Sequence, residues 1–477
     1  MAFLEFFMEK ISIPALYLVF QKCTGVTTDS RNCPKGSLFI ALKGSNFNGN
    51  KFAEQALREG SSYAIVDDPH YAPAENDRIF LVDNTLKALQ ELAHYHRQQL
   101  GTKIIGITGT NGKTTTKELI AAVLSTQYNI LYTQGNLNNH IGVPLTLLRL
   151  QKEHELAVIE MGASHPGDIK ELVDIAEPDF GIITNVGRAH LEGFGSFEGI
   201  IRTKGELYDY LRTRNATVFV NAENSYLTAM LEGLTPVYYS GATQKKSFIK
   251  NSPSPASDSY TIPSTQKSAY TICGHVTSCS PFLCLEWQHK HDTQTYSIIT
   301  HLIGDYNLDN VLAATTIGIY FGITPTHINQ AIAEYTPSNN RSQLKKTTYN
   351  QLIIDAYNAN PTSMMASLRN FSQIEASHKI IILGDMKELG PTSKDEHLTI
   401  LRYVSKCKFE RSFFVGNEFT DAFTAETNKN SFPDTFEFYP DVHTLINTLR
   451  VHDLLKNKTF LIKGSNSMKL SLLVEEL

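Results

Sequence analysis

The run Gly106-Ile107-Thr108-Gly109-Thr110-Asn111-Gly112-Lys113-Thr114-Thr115 sets three glycines ahead of a lysine and two threonines. Backbone N–H groups in such a turn point inward, and a helix starting behind them adds its positive end, so the run can cradle phosphate oxygens. Gly109, Thr110, Asn111, Gly112 and Thr115 would surround the phosphates. Lys113 would reach the outer ones as a cation, and the Thr114 hydroxyl would ligate Mg²⁺. Lys103–Thr108 reads as a buried strand, and Lys113–Gln127 carries Leu119, Ile120, Val123 and Leu124 at helical spacing. Strand, turn and helix therefore come in the order a phosphate loop requires. The run departs from GxxxxGK[ST] because Ile107 stands at the first glycine position. A glycine turn before an unrelated helix is the competing account, and the ordered strand, lysine and threonine speak against it.

Further chemistry-bearing residues lie downstream. Asn136, Asn138 and Asn139 lie in Gly135-Asn136-Leu137-Asn138-Asn139-His140, where they can be fixed hydrogen-bonding groups or plain turn formers. Glu160 ends an apolar run at a strand's C-terminal edge, where open α/β sheets hold ligands, although a solvated carboxylate is equally compatible. His190, in Thr184-Asn185-Val186-Gly187-Arg188-Ala189-His190-Leu191-Glu192, reads by itself as a structural histidine. Lys204, in Lys204-Gly205-Glu206-Leu207 on an expected helix, reads by itself as a solvated charge. Asn307 and Asn310 share a helix face and could meet an adenine edge.

These residues need a frame of alternating strands and helices. Buried strands are expected at Leu156–Met161, Gly181–Asn185 and Thr217–Val220, with helical segments between them. That alternation predicts an α/β fold with a mainly parallel central sheet. Residues 1–98 form a first unit ending in the helical stretch Leu86–Leu100, and 99–335 form the phosphate-binding domain. After Thr336-Pro337 a third, Rossmann-like α/β unit covers 336–477, with strands at Leu352–Ala356, Ile380–Leu383, Phe413–Val415 and Phe460–Ile462. Ser240–Ser280 is rich in Ser, Thr and Pro and reads as loops and short antiparallel strands.

Composition closes off several classes. The 477 residues, 42% hydrophobic and 19% charged, describe an ordinary globular chain of about three domains. A net charge of -5 gives no basic stripe for nucleic acid. The start Met1-Ala2-Phe3-Leu4-Glu5 lacks a basic n-region, and no apolar run is long enough to cross a bilayer. The six cysteines are scattered, which fits a reducing cytoplasm. Cys273, Cys279, Cys284, His289 and His291 lack zinc-knuckle spacing and alternate like strands, so they read as buried or incidental thiols.

The loop form GTNGKTT after a strand resembles that of the Mur ligases and folylpolyglutamate synthetases, and the likeness to the Mur ligase family spans nearly the whole chain. The resemblance implies a reaction in which ATP phosphorylates a carboxylate, and an amine attacks the acyl phosphate to give an amide, ADP and phosphate. It also implies roles for single residues. Glu160 and His190 would be metal ligands, and Lys204 would be carbamylated and hold metal as an anion. Lys113, Lys204, His190 and Glu160 would form the catalytic set. Asn307 and Asn310 match a GxHNxxN nucleotide segment, with Tyr306 where histidine is common, so no role carries over to that position.

Arg341 resembles an arginine that reaches the ATP phosphates, although Asn340 replaces the usual glycine. Asp355-Ala356-Tyr357-Asn358-Ala359-Asn360-Pro361 is similar to the signature of the branch that adds D-alanyl-D-alanine, where other branches carry a DDYAH-like segment. It would bring Asp355 and Asn358 to ATP and Tyr357 and Asn360 to substrate. Ser30 and Arg31, in Thr28-Asp29-Ser30-Arg31, match a nucleotide-sugar segment, and Asn136, Asn138 and Asn139 match a substrate-side segment. A DGHxF-type stretch is expected next, but Phe47-Asn48-Gly49-Asn50-Lys51-Phe52 lacks its Asp and His. The resemblance thus implies a cytoplasmic, monomeric ligase of small molecules: ATP with Mg²⁺, a UDP-muramoyl-tripeptide and D-Ala-D-Ala. Another ligase of these families, or a regulator that hydrolyses ATP without ligating, are the alternatives.

Overall fold

The computed structural model describes residues 10–242, 272–289, 293–338, 341–426, 432–451 and 455–477. The expectations for 243–271, His291 and Asn340 lie outside the described residues. The chain falls into two compact units, Met1–Ile107 with Tyr128–Ala163 and Gly167–Phe180, and Thr108–Gln127 with Ser164–Pro166 and Gly181–Leu477. The fold is mixed α/β, with several mainly parallel sheets.

In the first unit, strands Val26–Thr27, Leu38–Ile40, Tyr63–Val66 and Ile79–Leu81 form one parallel sheet in that order. Phe39, Ala53, Ala56, Ala64, Val66 and Ile79 fill one core against it. The helix Thr85–Leu100 is capped by the Asn84 side chain, which accepts from Lys87 N, and stops at the left-handed Gly101. Strand Lys103–Thr108 follows. It pairs in parallel with Leu156–Glu160, which pairs in parallel with Ile130–Tyr132. Every residue of Leu156–Glu160 is buried, which explains its unbroken apolar run up to the terminal acid.

The second unit opens on the phosphate loop and the helix Lys113–Leu124. Strands Thr217–Asn221, Thr235–Ala242 and Ile272–Cys279 continue in parallel. Phe282–His289 and Tyr296–Ile303 then add antiparallel strands, so Cys273, Cys279, Cys284 and His289 sit on a hairpin, as their alternation suggested. The expected helix over Asn307–Phe321 is the α-helix Leu308–Tyr320 behind a short 3₁₀ turn, Asp305–Asn307.

The last sheet runs Gln343–Lys346, Gln351–Asp355, Thr459–Lys463, Lys379–Gly384, Arg411–Val415 and Phe436–Tyr439, and only its first pair is antiparallel. Side chains alternate across it. Ile353, Ile381, Leu383, Phe414 and Leu461 pack with the helices Pro361–Gln373 and Ser393–Val404. Leu352, Ile354, Ile380, Ile382, Phe413 and Phe460 pack on the other side with the helix Val442–Val451. Period-two burial of both faces is what a doubly wound sheet demands. The edge strands Gln343–Lys346 and Phe436–Tyr439 were not among the expected strands; being short and only partly buried, they lack a continuous apolar run.

Candidate active site

The phosphate loop is held open by its own neighbours. Gly109 has φ +142° and lies so close to Thr184 that an added Cβ would come within 2.0 Å of the Thr184 hydroxyl. Gly112 has φ +77°, and a Cβ there would meet Asn310 Oδ1 at 2.5 Å. No larger residue fits either place without displacing its partner. The loop is laced to Thr184–Gly187. Thr110 N donates to Asn185 O at 3.0 Å, and Asn111 N donates to the Asn185 side chain at 2.9 Å. The Thr184 hydroxyl and Asn185 Nδ2 both donate to Asn111 O, at 2.6 and 3.0 Å. Gly187 N donates to Thr110 Oγ1 at 2.9 Å. The sequence singled out this second segment for His190 alone; its role as the brace of the loop was missed because Thr184 and Asn185 were expected within a strand Gly181–Asn185, whereas the strand is Phe180–Ile183 and leaves both free to meet the loop.

Lys113 folds back over the turn, its Nζ donating to Gly109 O at 2.7 Å and Thr110 O at 3.1 Å. Those carbonyls hold the ammonium beside the cradle. Thr114 is buried in the first turn of the helix. Asn307 and Asn310 are buried and turned inward: Thr116 Oγ1 donates to Asn310 Oδ1, Asn310 Nδ2 to Asn307 Oδ1, and Asn307 Nδ2 to Ile303 O, all within 2.9 Å. Their side chains therefore brace the loop's helix.

His190 and Lys204 lie in the same unit as Lys113. Lys204 is 3% exposed on the helix Phe197–Arg212, with its ammonium 5.4 Å from the centre of the Phe194 ring, so it is not a solvated surface charge. His190 adopts a left-handed φ of 50°, and its Nδ1 hydrogen-bonds Glu388, itself left-handed at φ 65°. Such strained non-glycine positions concentrate at functional sites. Burial pushes the His190 pKa down, Glu388 pulls it up, and the charges of Lys113 and Lys204 push it down again, with a lowered net result. The ring is thus neutral at pH 7, with Nε2 available as a lone pair once Nδ1 is protonated toward Glu388.

In the first unit, Glu160 is 1% exposed, which excludes the solvated reading. Its Oε1 accepts from Asn138 Nδ2 at 2.9 Å, and its amide donates to Thr133 Oγ1 at 2.9 Å. Asn139 closes the turn ahead of the helix Gly142–Leu147, its Oδ1 accepting from Ile141 N and Gly142 N. Asn136 is exposed. Ser30 is buried, and Arg31 grips Asp29 through Nε and Nη2, both at 2.9 Å. That grip holds the Asp29 carboxyl at about 2. Where DGHxF was expected, Asn50 is fully buried and donates to Asp67 at 2.8 Å and Asn48 at 2.9 Å, and Lys43 pairs with Asp67 at 2.7 Å. The neighbouring Phe47, half exposed, stacks on Phe52.

The DAYNANP segment splits in its tasks. Burial raises the Asp355 pKa, but Lys463 at 2.6 Å and Ser367 at 2.8 Å outweigh it and hold the carboxylate ionised. Tyr357 carries the Arg341 guanidinium 3.7 Å over its ring, and the buried Arg341 Nε has no hydrogen-bond partner among the described residues. Asn358 is exposed. Asn360 caps the helix Pro361–Gln373 in a reciprocal box with Ser363, and its Nδ2 donates to Asn111 Oδ1 at 2.8 Å. The third region thus touches the phosphate loop directly.

Known proteins resemble this chain over nearly its whole length. Residues 22–97 match the Mur ligase family catalytic domain, 107–318 the Mur ligase middle domain, and 340–466 the Mur ligase glutamate ligase domain. A UDP-N-acetylmuramoyl-tripeptide–D-alanyl-D-alanine ligase from Bacillus subtilis is 36% identical over 456 residues, covering 95% of this chain and 93% of that protein. The chain belongs to the Mur ligase family. The Escherichia coli ligase with the same description is 32% identical over 453 residues, covering 95% and 93%. A crystal structure of MurF from Acinetobacter baumannii superposes with a TM-score of 0.79 at 27% identity, over 98% of this chain and 99% of that one. A Mur ligase is an ATP-dependent amide-forming enzyme, and this chain's cradle fits that cofactor. The two glycines let the turn pack tightly on Thr184 and Asn310, the helix Lys113–Leu124 starts directly behind it, and the Lys113 ammonium lies against it.

Proposed function

We propose that this Mur ligase joins D-alanyl-D-alanine to UDP-N-acetylmuramoyl-tripeptide, forming ADP and phosphate by way of an acyl phosphate. The observation that carries the reading is the bond from Asn360 to Asn111. It seats on the phosphate loop the segment that sets this branch apart from its relatives. The descriptions of the Bacillus subtilis and Escherichia coli relatives support the same substrates.

The loop amides and Lys113 bind the phosphates and hold positive charge where negative charge gathers during transfer. Arg341, stacked on Tyr357 and with a buried Nε that has no hydrogen-bond partner among the described residues, is our assignment for a cation on the ATP phosphates. Thr114, His190 and a carbamylated Lys204 in one unit, and Glu160 in the other, are the residues we assign to Mg²⁺; hydroxyl, carboxylate and carbamate oxygens and an imidazole are donors such a cation can take. A divalent cation there would neutralise phosphate charge and orient the transferred group. Asp355 serves through Lys463, holding the turn that carries Tyr357, Asn358 and Asn360. Ser30, Arg31, Asn136 and Asn138 remain our assignment for the nucleotide-sugar and peptide side. Water must be kept out, because acyl phosphates hydrolyse readily.

The three-part division at 98/99 and 335/336, action as a monomer and a cytoplasmic setting belong to the same proposal. Among the described residues no helix is long and apolar enough to cross a membrane. The test is ADP release across a panel of UDP-muramoyl peptides and amines. Turnover with UDP-muramoyl-tripeptide and D-Ala-D-Ala together, and with neither alone, is expected. Equal turnover with a UDP-muramoyl-dipeptide and a free amino acid would overturn the assignment.

A further inference from the structure

Tyr306 stands at a position to which the family pattern transfers no role, yet its hydroxyl makes a specific contact. It lies 2.8 Å from the Ser342 hydroxyl. Ser342 is buried and left-handed at φ 48°, and it directly follows Arg341. Its amide donates to Asp355 Oδ1 at 3.4 Å, while Asp355 Oδ2 takes Ser367 and Lys463. Position 342 is therefore held from the Tyr306 side and from the third region's sheet at once.

The other end of Tyr306 leads to the phosphate loop. It sits in the 3₁₀ turn Asp305–Asn307, next to Asn307, which accepts from Asn310 at 2.8 Å. Asn310 accepts from Thr116 at 2.9 Å and backs Gly112. An unbroken series of contacts thus joins the loop to the residue beside Arg341, whose guanidinium lies over the Tyr357 face and whose Nε has no hydrogen-bond partner among the described residues. Burial pushes the Tyr306 pKa up, so the hydroxyl stays neutral and available as donor or acceptor.

The geometry points to Tyr306 as a positioning residue that aims the Arg341 guanidinium through Ser342, so that the outer phosphates of the nucleotide meet a cation already in place. The inference rests on Arg341 contacting those phosphates. An arginine so fixed loses less rotamer freedom on binding than one that must be found by search.

The full-length protein with Tyr306→Phe, Ser342→Ala, both together, and Arg341→Ala provides the test. Affinities are measured separately for ADP and for a non-hydrolysable ATP analogue, each with magnesium. Each single hydroxyl loss should weaken the ATP analogue roughly fivefold, the scale of one net hydrogen bond. The double variant should be no weaker than the weaker single, and ADP affinity should stay within about twofold because Arg341 serves the outermost phosphate. Multiplying losses in the double variant, equal losses for ADP, or unchanged ATP-analogue binding would overturn the role of Tyr306. An unchanged affinity in Arg341→Ala would instead overturn the phosphate role of Arg341, and this proposal with it.

Discussion

Asn360 Nδ2 donates to Asn111 Oδ1 at 2.8 Å, while Asn360 Oδ1 accepts from Ser363 N at 2.9 Å. One amide therefore starts a helix with its oxygen and holds the phosphate loop with its nitrogen. Asp in its place keeps the cap but sets a carboxylate against the Asn111 oxygen. Asn360→Asp should melt within a few degrees of the parent, with ATP KM raised about tenfold, the scale of one lost hydrogen bond plus repulsion. An unchanged KM in the folded variant would show that the bond to Asn111 does not serve ATP binding.

Lys113→Ala removes the cation and leaves Gly109 and Gly112 undisturbed. Ligation should fall by at least about 10²-fold, the usual cost of one lost transition-state charge stabiliser. Circular dichroism should be unchanged. A folded variant with near-normal turnover would mean that the nucleotide binds elsewhere.

Lys204 is expected to carry a CO₂-derived carbamate. Carbamates form on neutral amines, and an unperturbed lysine near 10.4 offers few at pH 7, so the modification depends on the buried setting of Lys204, which is 3% exposed. Lys204→Ala should lose ligation, and short carboxylic acids should partly restore it by supplying the missing oxygens. An active Lys204→Ala variant would rule the carbamate out.

Asp309 offers a pH test outside the phosphate chemistry. Burial raises its pKa from 3.8 to about 6, helped by Glu223 and opposed by a hydrogen bond from Asn221. Between those values the folded chain holds a proton that the unfolded chain has released. Stability therefore falls as pH rises through this window and stays lower above it. Asp309→Asn removes the titration, so its gain should be negligible below about pH 4 and reach on the order of 3 kcal/mol above pH 6. Denaturant titrations at pH 4 and pH 8 check this; an equal effect at both would contradict it.

Much of this architecture could be read from the chain because strong local signals coincided. Lys103–Thr108 is a strand as expected, and Leu119, Ile120, Val123 and Leu124 are buried on one helix. Glu160, His190 and Lys204 were ambiguous as isolated residues, since burial depends on partners far away in sequence: Asn138 for Glu160, Glu388 for His190. The inward turn of Asn307 and Asn310 was equally hidden. Helical spacing says which residues share a face, but not that Gly112 and Thr116 lie against that face. Asn50 shows the limit of motif reading, because its bonds to Asp67 fill a place where the pattern only registered a missing histidine.

The central claim is tested most directly by ADP release from the purified protein with ATP and magnesium, comparing UDP-muramoyl-tripeptide, D-Ala-D-Ala, and both together. ADP should appear only with both, in step with a new amide bond to the dipeptide. ADP release that ignores D-Ala-D-Ala, or a preference for a UDP-muramoyl-dipeptide with a free amino acid, would contradict the account.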